Sequence, residues 1–282
     1  MELFLETIKF LFYSFLIVLI SKYLLVVLIR KFAITLNLKA KTVGNITGIS
    51  TSIPELLSVC FSAYSGFIGA SLYNILSSNI INLVQYIFSI LFNKNEKSLK
   101  NTALKIDLIL VLFTIIIPMF LCFSSFNFSS DFIIAFILLF ILFYFINKKT
   151  HHLYLPNTKN LIEEDVQKEK QNFQKRKALL YIILLILTTI LLFFIGNLLS
   201  LSLENLCIHF RVPEFIIGIA LGFITSLPEL ITFFEAQKHH KQHSLESQEG
   251  VIEATNNLLT SNIINLFIIQ SIGIFISNLW II

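Results

Sequence analysis

The sequence predicts an all-α membrane protein that crosses the bilayer about eight times and contains an inverted internal repeat. Of its 282 residues, 56% are hydrophobic and only 13% are charged, which is about half the charged share of a soluble domain. The apolar residues fall in long runs, and the chain holds only 9 Gly and 5 Pro. Two sequence blocks also recur, once in each half of the chain. Composition, run length and repetition together exclude an ordinary soluble fold.

The apolar runs define eight candidate membrane helices, named spans 1 to 8. A helix needs about 20 apolar residues to cross a bilayer. Span 1 lies where a signal peptide would lie, but it is too long and lacks a small-x-small cleavage site, so we expect it to remain in the protein. The spans cover approximately residues 8–29, 43–64, 70–92, 106–124, 131–147, 178–200, 213–235 and 256–281.

A charged stretch between spans 5 and 6 divides the chain into two halves. We expect an N-terminal half at 1–147 with spans 1 to 5, a solvated loop at 148–177, and a C-terminal half at 178–282 with spans 6 to 8. Eighteen of the 21 Lys and Arg residues fall in this loop or in the connections after spans 1, 3 and 7. Positive residues mark cytoplasmic loops. The pattern predicts a multi-pass protein of the cell membrane, with its N-terminus outside and its central loop in the cytoplasm.

The two recurring blocks run in the same order in both halves. Residues 44–56 read GNITGISTSIPEL and residues 218–230 read GIALGFITSLPEL; residues 74–83 read NILSSNIINL and residues 257–266 read NLLTSNIINL. The first block lies on spans 2 and 7. These are five spans apart, so the two copies cross the membrane in opposite directions. Inverted repeats are typical of secondary transporters, whose sites lie near the midplane on helices interrupted by Gly or Pro.

Two glutamates are the strongest candidates for an ion site. Glu55 and Glu229 are the only acids near the centres of the spans, and an acid at that depth costs a few kcal/mol on insertion scales. No Lys or Arg lies nearby in sequence. Two carboxylates that meet across a pseudo-two-fold axis would repel each other unless cations or protons lay between them.

Neutral oxygen atoms accompany both glutamates. Thr51 and Thr225 each precede a glutamate by four residues, which places hydroxyl and carboxylate on one helix face. Pro in each block frees a backbone carbonyl, and the carbonyls of Gly48 and Gly222 are approachable. In the second block, Ser78 with Asn82 and Ser261 with Asn265 are further i, i+4 pairs. Oxygen ligands suit hard cations such as Na⁺ and Ca²⁺. The alternative interpretation is that the polar residues join helices and the prolines merely kink them.

These blocks resemble the α-repeats of the sodium/calcium exchanger (cation/Ca²⁺ antiporter) superfamily, in which a GTS-x-PE helix precedes a G-S-N-x-x-N/D helix. The resemblance covers repeats at about 43–92 and 213–281, with TSIPE, TSLPE, SSNIIN and TSNIIN as its core. It implies the inverted-repeat exchanger fold and Na⁺/Ca²⁺ exchange by alternating access. Carried over by position, it implies metal-ligand roles for Glu55, Glu229, Thr51, Thr225, Ser52, Ser226, Ser78, Ser261, Asn82, Asn265, Gly48 and Gly222.

The sequence departs from the family pattern at several places. Ser50 and Ile224 stand where the family has Gly before Thr-Ser, and Asn stands at both 82 and 265, where many relatives have one Asp. The sequence ends after span 8, whereas the family usually has ten helices. The alternatives are therefore an H⁺-coupled Ca²⁺ antiporter of the same fold, or an exchanger-like membrane protein that lacks the last two helices and does not transport.

The remaining expectations concern cofactors and partners. We expect a transporter rather than an enzyme, because H-E-x-x-H, G-x-S-x-G and phosphate-loop motifs are absent from the sequence. No resident cofactor is expected; Ca²⁺ and Na⁺, with H⁺ as the alternative, are the cargo. The partners are the lipid bilayer and these ions, and not nucleic acid, since the net charge is only +4. Whether a partner subunit exists stays open. His239, His240 and His243 are interpreted as part of a solvated, positive loop.

Overall fold

A computed structural model describes residues 2–35, 40–64, 66–123, 132–146, 149, 175–211, 213–242 and 247–279. His243 and almost all of the central loop at 148–177 lie outside these residues. The α-helices are α1 (Glu2–Ile20), α2 (Val26–Thr35), α3 (Ala40–Thr51), α4 (Ile53–Tyr64), α5 (Ile68–Phe92), α6 (Thr102–Phe123), α7 (Phe132–Ile146), α8 (Lys175–Phe210), α9 (Glu214–Thr225), α10 (Leu227–Gln242), α11 (Ser247–Ile263) and α12 (Gln270–Leu279).

The eight predicted spans are confirmed as helices. Among the described residues, seven helical segments are long and apolar enough to cross a membrane, and α7 is a shorter apolar helix at the position of span 5. Span 8 begins earlier than predicted, because the helical segment starts at Glu249. Its first two turns contain polar residues such as Glu253 and Asn256, which are buried inside the protein. Their polarity lowered the local hydropathy and hid the start of the helix.

Spans 2 and 7 are each broken near their middle. Span 2 consists of α3 and α4 with Ser52 between them, and span 7 consists of α9 and α10 with Ser226 between them. Pro54 and Pro228 then occupy the second position of α4 and α10. Proline is tolerated in the first turn of a helix, where its missing N–H is not needed. Backbone hydrogen bonds continue across each break, since Ser52 donates to Gly48 and Ser226 donates to Gly222. The prolines themselves have no N–H to donate, so the irregularity is local.

Each broken helix packs along the long helix of the other repeat. The most extensive contacts in the protein are between α5 and α9 and between α3 and α11. Glycines permit this close approach. A Cβ atom at Gly218 would lie 2.6 Å from the carbonyl oxygen of Ala70, and a Cβ atom at Gly44 would overlap the carbonyl oxygen of Glu253. The two contacts are equivalent under the internal repeat, and they bring both helix breaks together.

The remaining helices surround this four-helix centre unequally. Helices α6 and α7 pack against α11 and its continuation, with Phe136 and Phe143 in edge-to-face contact with Phe267. Helices α1 and α2 pack mainly against α8, which also contacts α4. Two π-helical segments interrupt the helices, Ser21–Leu25 after α1 and Ile264–Ile269 after α11. The second contains Asn265, and π-helical turns are often found at functional sites.

Candidate ion-binding centre

Glu55 and Glu229 lie next to each other at the two helix breaks. Both side chains are completely buried, and they are close enough to interact electrostatically. Each glutamate is the third residue of the helix that follows the break. The positive end of a helix dipole favours a carboxylate there. This partly offsets the cost of two buried negative charges, but it does not remove their mutual repulsion.

The carboxylate of Glu229 has a hydroxyl partner from its own repeat. Ser261 donates a hydrogen bond to Oε1 of Glu229 over 3.1 Å, and the hydroxyl of Ser261 also lies 2.9 Å from that of Ser52. Thr51 lies beside the same carboxylate. Thr51 of the first repeat thus lies at the glutamate of the second, and Ser52 of the first repeat contacts the serine that donates to it.

The carboxylate of Glu55 has the equivalent neighbours but no hydrogen bond. The hydroxyls of Thr225 and Ser78 lie beside it, yet neither of its oxygens accepts a hydrogen bond from any described residue. Ser78 instead donates to the carbonyl of Gly222 over 3.3 Å and lies 3.4 Å from the Thr225 hydroxyl. The two glutamates therefore occupy equivalent positions in different hydrogen-bond states.

One detail of the expected geometry is different in the structure. The i, i+4 spacing predicted that Thr51 would accompany Glu55 and that Thr225 would accompany Glu229. The break at Ser52 or Ser226 separates each pair, and each threonine lies beside the glutamate of the other repeat. The expected ligand types thus gather at one centre, but their pairing crosses the pseudo-two-fold axis.

The carbonyl oxygens expected to be approachable are engaged by hydroxyls. Gly48 accepts from the Ser52 hydroxyl over 2.9 Å, and Gly222 accepts from the Ser78 hydroxyl over 3.3 Å. A hydroxyl can rotate its proton away and offer its own oxygen instead. Each contact therefore places a carbonyl oxygen next to a hydroxyl oxygen. The glycines also allow the neighbouring helix to approach, because a Cβ at Gly48 would lie 2.7 Å from the Asn257 carbonyl.

Four asparagine side chains form a symmetric cluster beside the glutamates. Asn79 and Asn262 each donate from Nδ2 to the backbone carbonyl of the other, over 3.3 and 3.2 Å. Asn82 donates to Oδ1 of Asn262, and Asn265 donates to Oδ1 of Asn79, both over 3.2 Å. This network uses the amide nitrogens of Asn82 and Asn265 and leaves Oδ1 of each without a partner among the described residues.

Sequence reasoning missed Asn79 and Asn262, and it also missed a second symmetric pair. Asn74 donates to the Ser58 hydroxyl and Asn257 donates to the Thr232 hydroxyl, both over 2.6 Å. The signal was present, because Asn79 and Asn262 are identical in the two copies of the second block, as are Asn74 and Asn257. These asparagines are identical in both repeats, as the residues assigned as ligands are. The same criterion therefore singles them out.

The centre offers a set of oxygen atoms that lack hydrogen-bond donors. Six buried oxygens of the predicted site residues have no partner among the described residues. Buried polar atoms are normally satisfied, and Ca²⁺ takes six to eight oxygen ligands. Within the described part of the chain, no group of three or more His, Cys, Asp or Glu residues could hold a metal ion. A cation held by the two glutamates would need neutral oxygens as further ligands. The six atoms are Oε1 and Oε2 of Glu55, Oε2 of Glu229, Oδ1 of Asn82, Oδ1 of Asn265 and Oγ of Ser226.

Comparison with known proteins identifies the family. A family model described as sodium/calcium exchanger protein matches residues 7–149 and 180–282. The chain belongs to the sodium/calcium exchanger family. The family is one of transporters, so the chain is a multi-pass membrane protein of the antiporter class, as the inverted repeat predicted. A search of curated protein sequences gives no match.

Solved structures of one exchanger have the same fold. The chain is similar to the sodium-calcium exchanger NCX_Mj soaked with 10 mM Na⁺ and zero Ca²⁺, with a TM-score of 0.57 and 20% identity over 97% of this chain and 83% of that chain. The structure of NCX_Mj soaked with 100 mM Na⁺ and 10 mM Sr²⁺ gives a TM-score of 0.57 and 19% identity over the same shares. At this identity the likeness confirms the exchanger fold and nothing finer.

Proposed function

We propose that this exchanger couples Na⁺ influx to Ca²⁺ efflux by alternating access, with Glu55 and Glu229 as the central ion ligands. The observation that carries the proposal is the set of six unpartnered oxygens, three on the two buried carboxylates and three on neutral side chains of the same repeats. Such a set is unfavourable when empty, because buried polar atoms without partners are costly. A hard cation would supply partners that these carboxylate, amide and hydroxyl oxygens lack.

Charge explains why the two ions would compete for one centre. Glu55 and Glu229 are the acids of the centre, and the other proposed ligands are neutral hydroxyl, amide and carbonyl groups. One Ca²⁺ neutralises both carboxylates, and so do two monovalent cations. An empty centre would have to carry two buried negative charges through the conformational change. Exchange follows, because only the loaded protein changes its accessible side.

The neutral ligands divide into two groups by position. Thr51 and Ser261 adjoin Glu229, with Ser52 in contact with Ser261. Thr225 and Ser78 adjoin Glu55. Gly48 and Gly222 contribute carbonyl oxygens next to these hydroxyls. We assign ligand roles also to Ser226, Asn82 and Asn265, each of which has a buried oxygen without a partner.

We further propose that the protein lies in the cell membrane with its N-terminus outside. The positive residues of the connections after spans 1, 3 and 7 support this orientation. It can be tested with single cysteines in a variant whose three native cysteines are replaced. In intact cells, a membrane-impermeant maleimide should label Arg211→Cys but not Lys97→Cys until the membrane is opened. The reverse labelling pattern would invert the topology.

Transport by purified protein in liposomes tests the coupling ion. Vesicles loaded with Na⁺ and diluted into Na⁺-free buffer should take up ⁴⁵Ca²⁺, whereas vesicles with only a pH gradient should not. The uptake should disappear in Glu55→Gln and in Glu229→Gln. Glu235→Gln, which changes another acid on α10, is the matched control and should retain uptake.

Other outcomes would favour the two alternatives. Uptake driven by the pH gradient alone would identify H⁺ as the coupling ion, with the two glutamates as proton carriers. No uptake under either gradient, from protein shown to be folded, would identify a non-transporting membrane protein. Binding of ⁴⁵Ca²⁺ to the same preparation separates loss of transport from loss of the site.

A further inference from the structure

Backbone carbonyls fix the orientation of the amide groups in the asparagine cluster. A backbone carbonyl only accepts hydrogen bonds, whereas an asparagine side chain carries a donor at Nδ2 and an acceptor at Oδ1. The nitrogen of Asn262 faces the Asn79 carbonyl, and the nitrogen of Asn79 faces both the Asn262 carbonyl and the Thr114 carbonyl, the latter over 3.0 Å. The oxygens of Asn79 and Asn262 must therefore point away from these carbonyls.

These two oxygens in turn orient the next pair of amides. Oδ1 of Asn262 accepts from the nitrogen of Asn82, and Oδ1 of Asn79 accepts from the nitrogen of Asn265. If Asn82 or Asn265 turned over, its own oxygen would meet another oxygen over about 3.2 Å. Two acceptors without a proton repel each other, so the amide is held in one orientation.

We propose that Asn79 and Asn262 are positioning residues that hold Asn82 and Asn265 with their oxygens available to the cation. The inference rests on the proposed function, since it concerns how the ion centre selects its cargo. An amide turned the other way would present an NH₂ group, whose partial positive charge repels any cation. The four residues form two relays that cross the pseudo-two-fold axis, one from Asn79 to Asn265 and one from Asn262 to Asn82.

Each positioning residue orients the asparagine of the other repeat, so the proposal predicts which ligand each substitution affects. Asn79→Ala removes the oxygen that holds Asn265, but it keeps the backbone carbonyl that holds Asn262. Asn82 should therefore keep its orientation in this variant while Asn265 loses it. A merely structural role for Asn79 would weaken both ligands equally, because they lie in the same cluster.

Double-mutant cycles of Ca²⁺ affinity test this relay, because two residues that act through one another are not additive. Affinity is measured by isothermal titration of Ca²⁺ into purified protein. Asn79→Ala, Asn265→Ala and Asn82→Ala should each weaken binding about tenfold, the effect of a lost contact of about 1.4 kcal/mol. The matched pair Asn79→Ala/Asn265→Ala should also weaken it only about tenfold, whereas the crossed pair Asn79→Ala/Asn82→Ala should weaken it about a hundredfold.

Thermal unfolding guards against a general loss of folding. The Tm of every single and double variant is compared with that of the unsubstituted protein, and a variant enters the cycle only if it unfolds at an equal Tm. If Asn79→Ala yields no folded protein, Asn79→Ser replaces it in the same cycle. Equal coupling in the matched and crossed pairs, or additivity in both, would overturn the relay. Absence of Ca²⁺ binding by the unsubstituted protein would instead overturn the proposed function.

Discussion

The first repeat, formed by α3 to α5, and the second repeat, formed by α9 to α12, place equivalent side chains at the centre but differ in what surrounds them. In the first repeat, Val84 and Leu91 on α5 are 60% and 54% exposed; their equivalents, Phe267 and Ile274, are 0% exposed. Helix α6 contacts both α5 and α11, but Phe136 and Phe143 of α7 pack on Phe267 of the second repeat only, and the equivalent face of α5 lacks such cover among the described residues. The core is therefore thicker around α11 and α12 than around α5.

The same asymmetry reaches the ion centre. Glu229, in the covered repeat, accepts a hydrogen bond from Ser261, whereas both oxygens of Glu55 are unpartnered. Asn79 is held by two backbone carbonyls, one of them from Thr114 on α6, and Asn262 is held by one. Alternating access in inverted-repeat transporters involves movement of one repeat against the other. Under the proposed function, the two copies of the motif would meet the ions from unequal hydrogen-bond states.

Removal of either central carboxylate should have the largest effect. We expect Glu55→Gln and Glu229→Gln to reduce Na⁺-driven ⁴⁵Ca²⁺ uptake about a hundredfold or more, because a contact with a charged group contributes up to about 3 kcal/mol. The two variants should also differ in the Tm of the cation-free protein. Because Glu55 is the unpartnered acid, Glu55→Gln should raise the Tm of cation-free protein more than Glu229→Gln does. A larger rise for Glu229→Gln would contradict the asymmetry.

Close helix packing should show the next largest effect. Gly218→Ala would place a Cβ atom 2.6 Å from the Ala70 carbonyl oxygen, and overpacking of this kind costs about 1–3 kcal/mol. Gly196→Ala is the control, since its Cβ atom would meet only Leu57 at 3.8 Å and alanine gains up to about 1 kcal/mol of helix propensity. Thermal unfolding in detergent should show a lower Tm for the first variant and an equal or higher Tm for the second. Equal Tm values would show that α9 and α5 can move apart freely.

Ser78 and Ser261 occupy equivalent positions in the two repeats, but loss of their hydroxyls should have unequal effects. Ser261→Ala removes a hydroxyl that donates to Glu229 over 3.1 Å; such a bond to a charged group contributes about 1.5–3 kcal/mol. Ser78→Ala removes a hydroxyl that donates to a backbone carbonyl over 3.3 Å, a weaker neutral contact of about 0.5–1.5 kcal/mol. Thermal unfolding of cation-free protein should therefore show a larger fall in Tm for Ser261→Ala. Equal falls would mean that the two hydroxyls stabilise the cation-free centre equally.

The sequence predicted the helices, and it predicted which polar residues lie together, because both depend on local pattern. Runs of apolar residues reveal spans, and the duplicated Pro-Glu and Ser-Asn blocks reveal which polar residues share a centre. The pairing of Thr51 with Glu229, and of Asn79 with Asn265, depends on how two distant segments cross, and sequence spacing carries no information on this crossing. The buried Glu253 was missed for a related reason: its burial depends on neighbouring helices, and its own polarity obscured the start of span 8.

The smallest effect, and the finest test of the asymmetry, concerns the two outer asparagines. In Asn265→Asp, a carboxylate oxygen would face Oδ1 of Asn79, whose amide is fixed by two backbone carbonyls. In Asn82→Asp, the new oxygen would face Asn262, whose amide is fixed by a single carbonyl and can turn over at less cost. Both variants add a negative charge beside the ions, so both should change the Na⁺ concentration needed for half-maximal ⁴⁵Ca²⁺ uptake.

The shift in Na⁺ dependence should be smaller where more backbone carbonyls fix the facing asparagine, which is Asn79 for Asn265→Asp and Asn262 for Asn82→Asp. We expect Asn82→Asp to keep the Tm close to that of the unsubstituted protein and to shift the Na⁺ dependence the more strongly, since its carboxylate can stay charged. Asn265→Asp should lower the Tm by the cost of about one lost hydrogen bond, 0.5–1.5 kcal/mol. An unaltered Na⁺ dependence in both variants would remove Asn82 and Asn265 from the ligand set, and the reverse order of Tm values would show that the Thr114 contact does not fix Asn79.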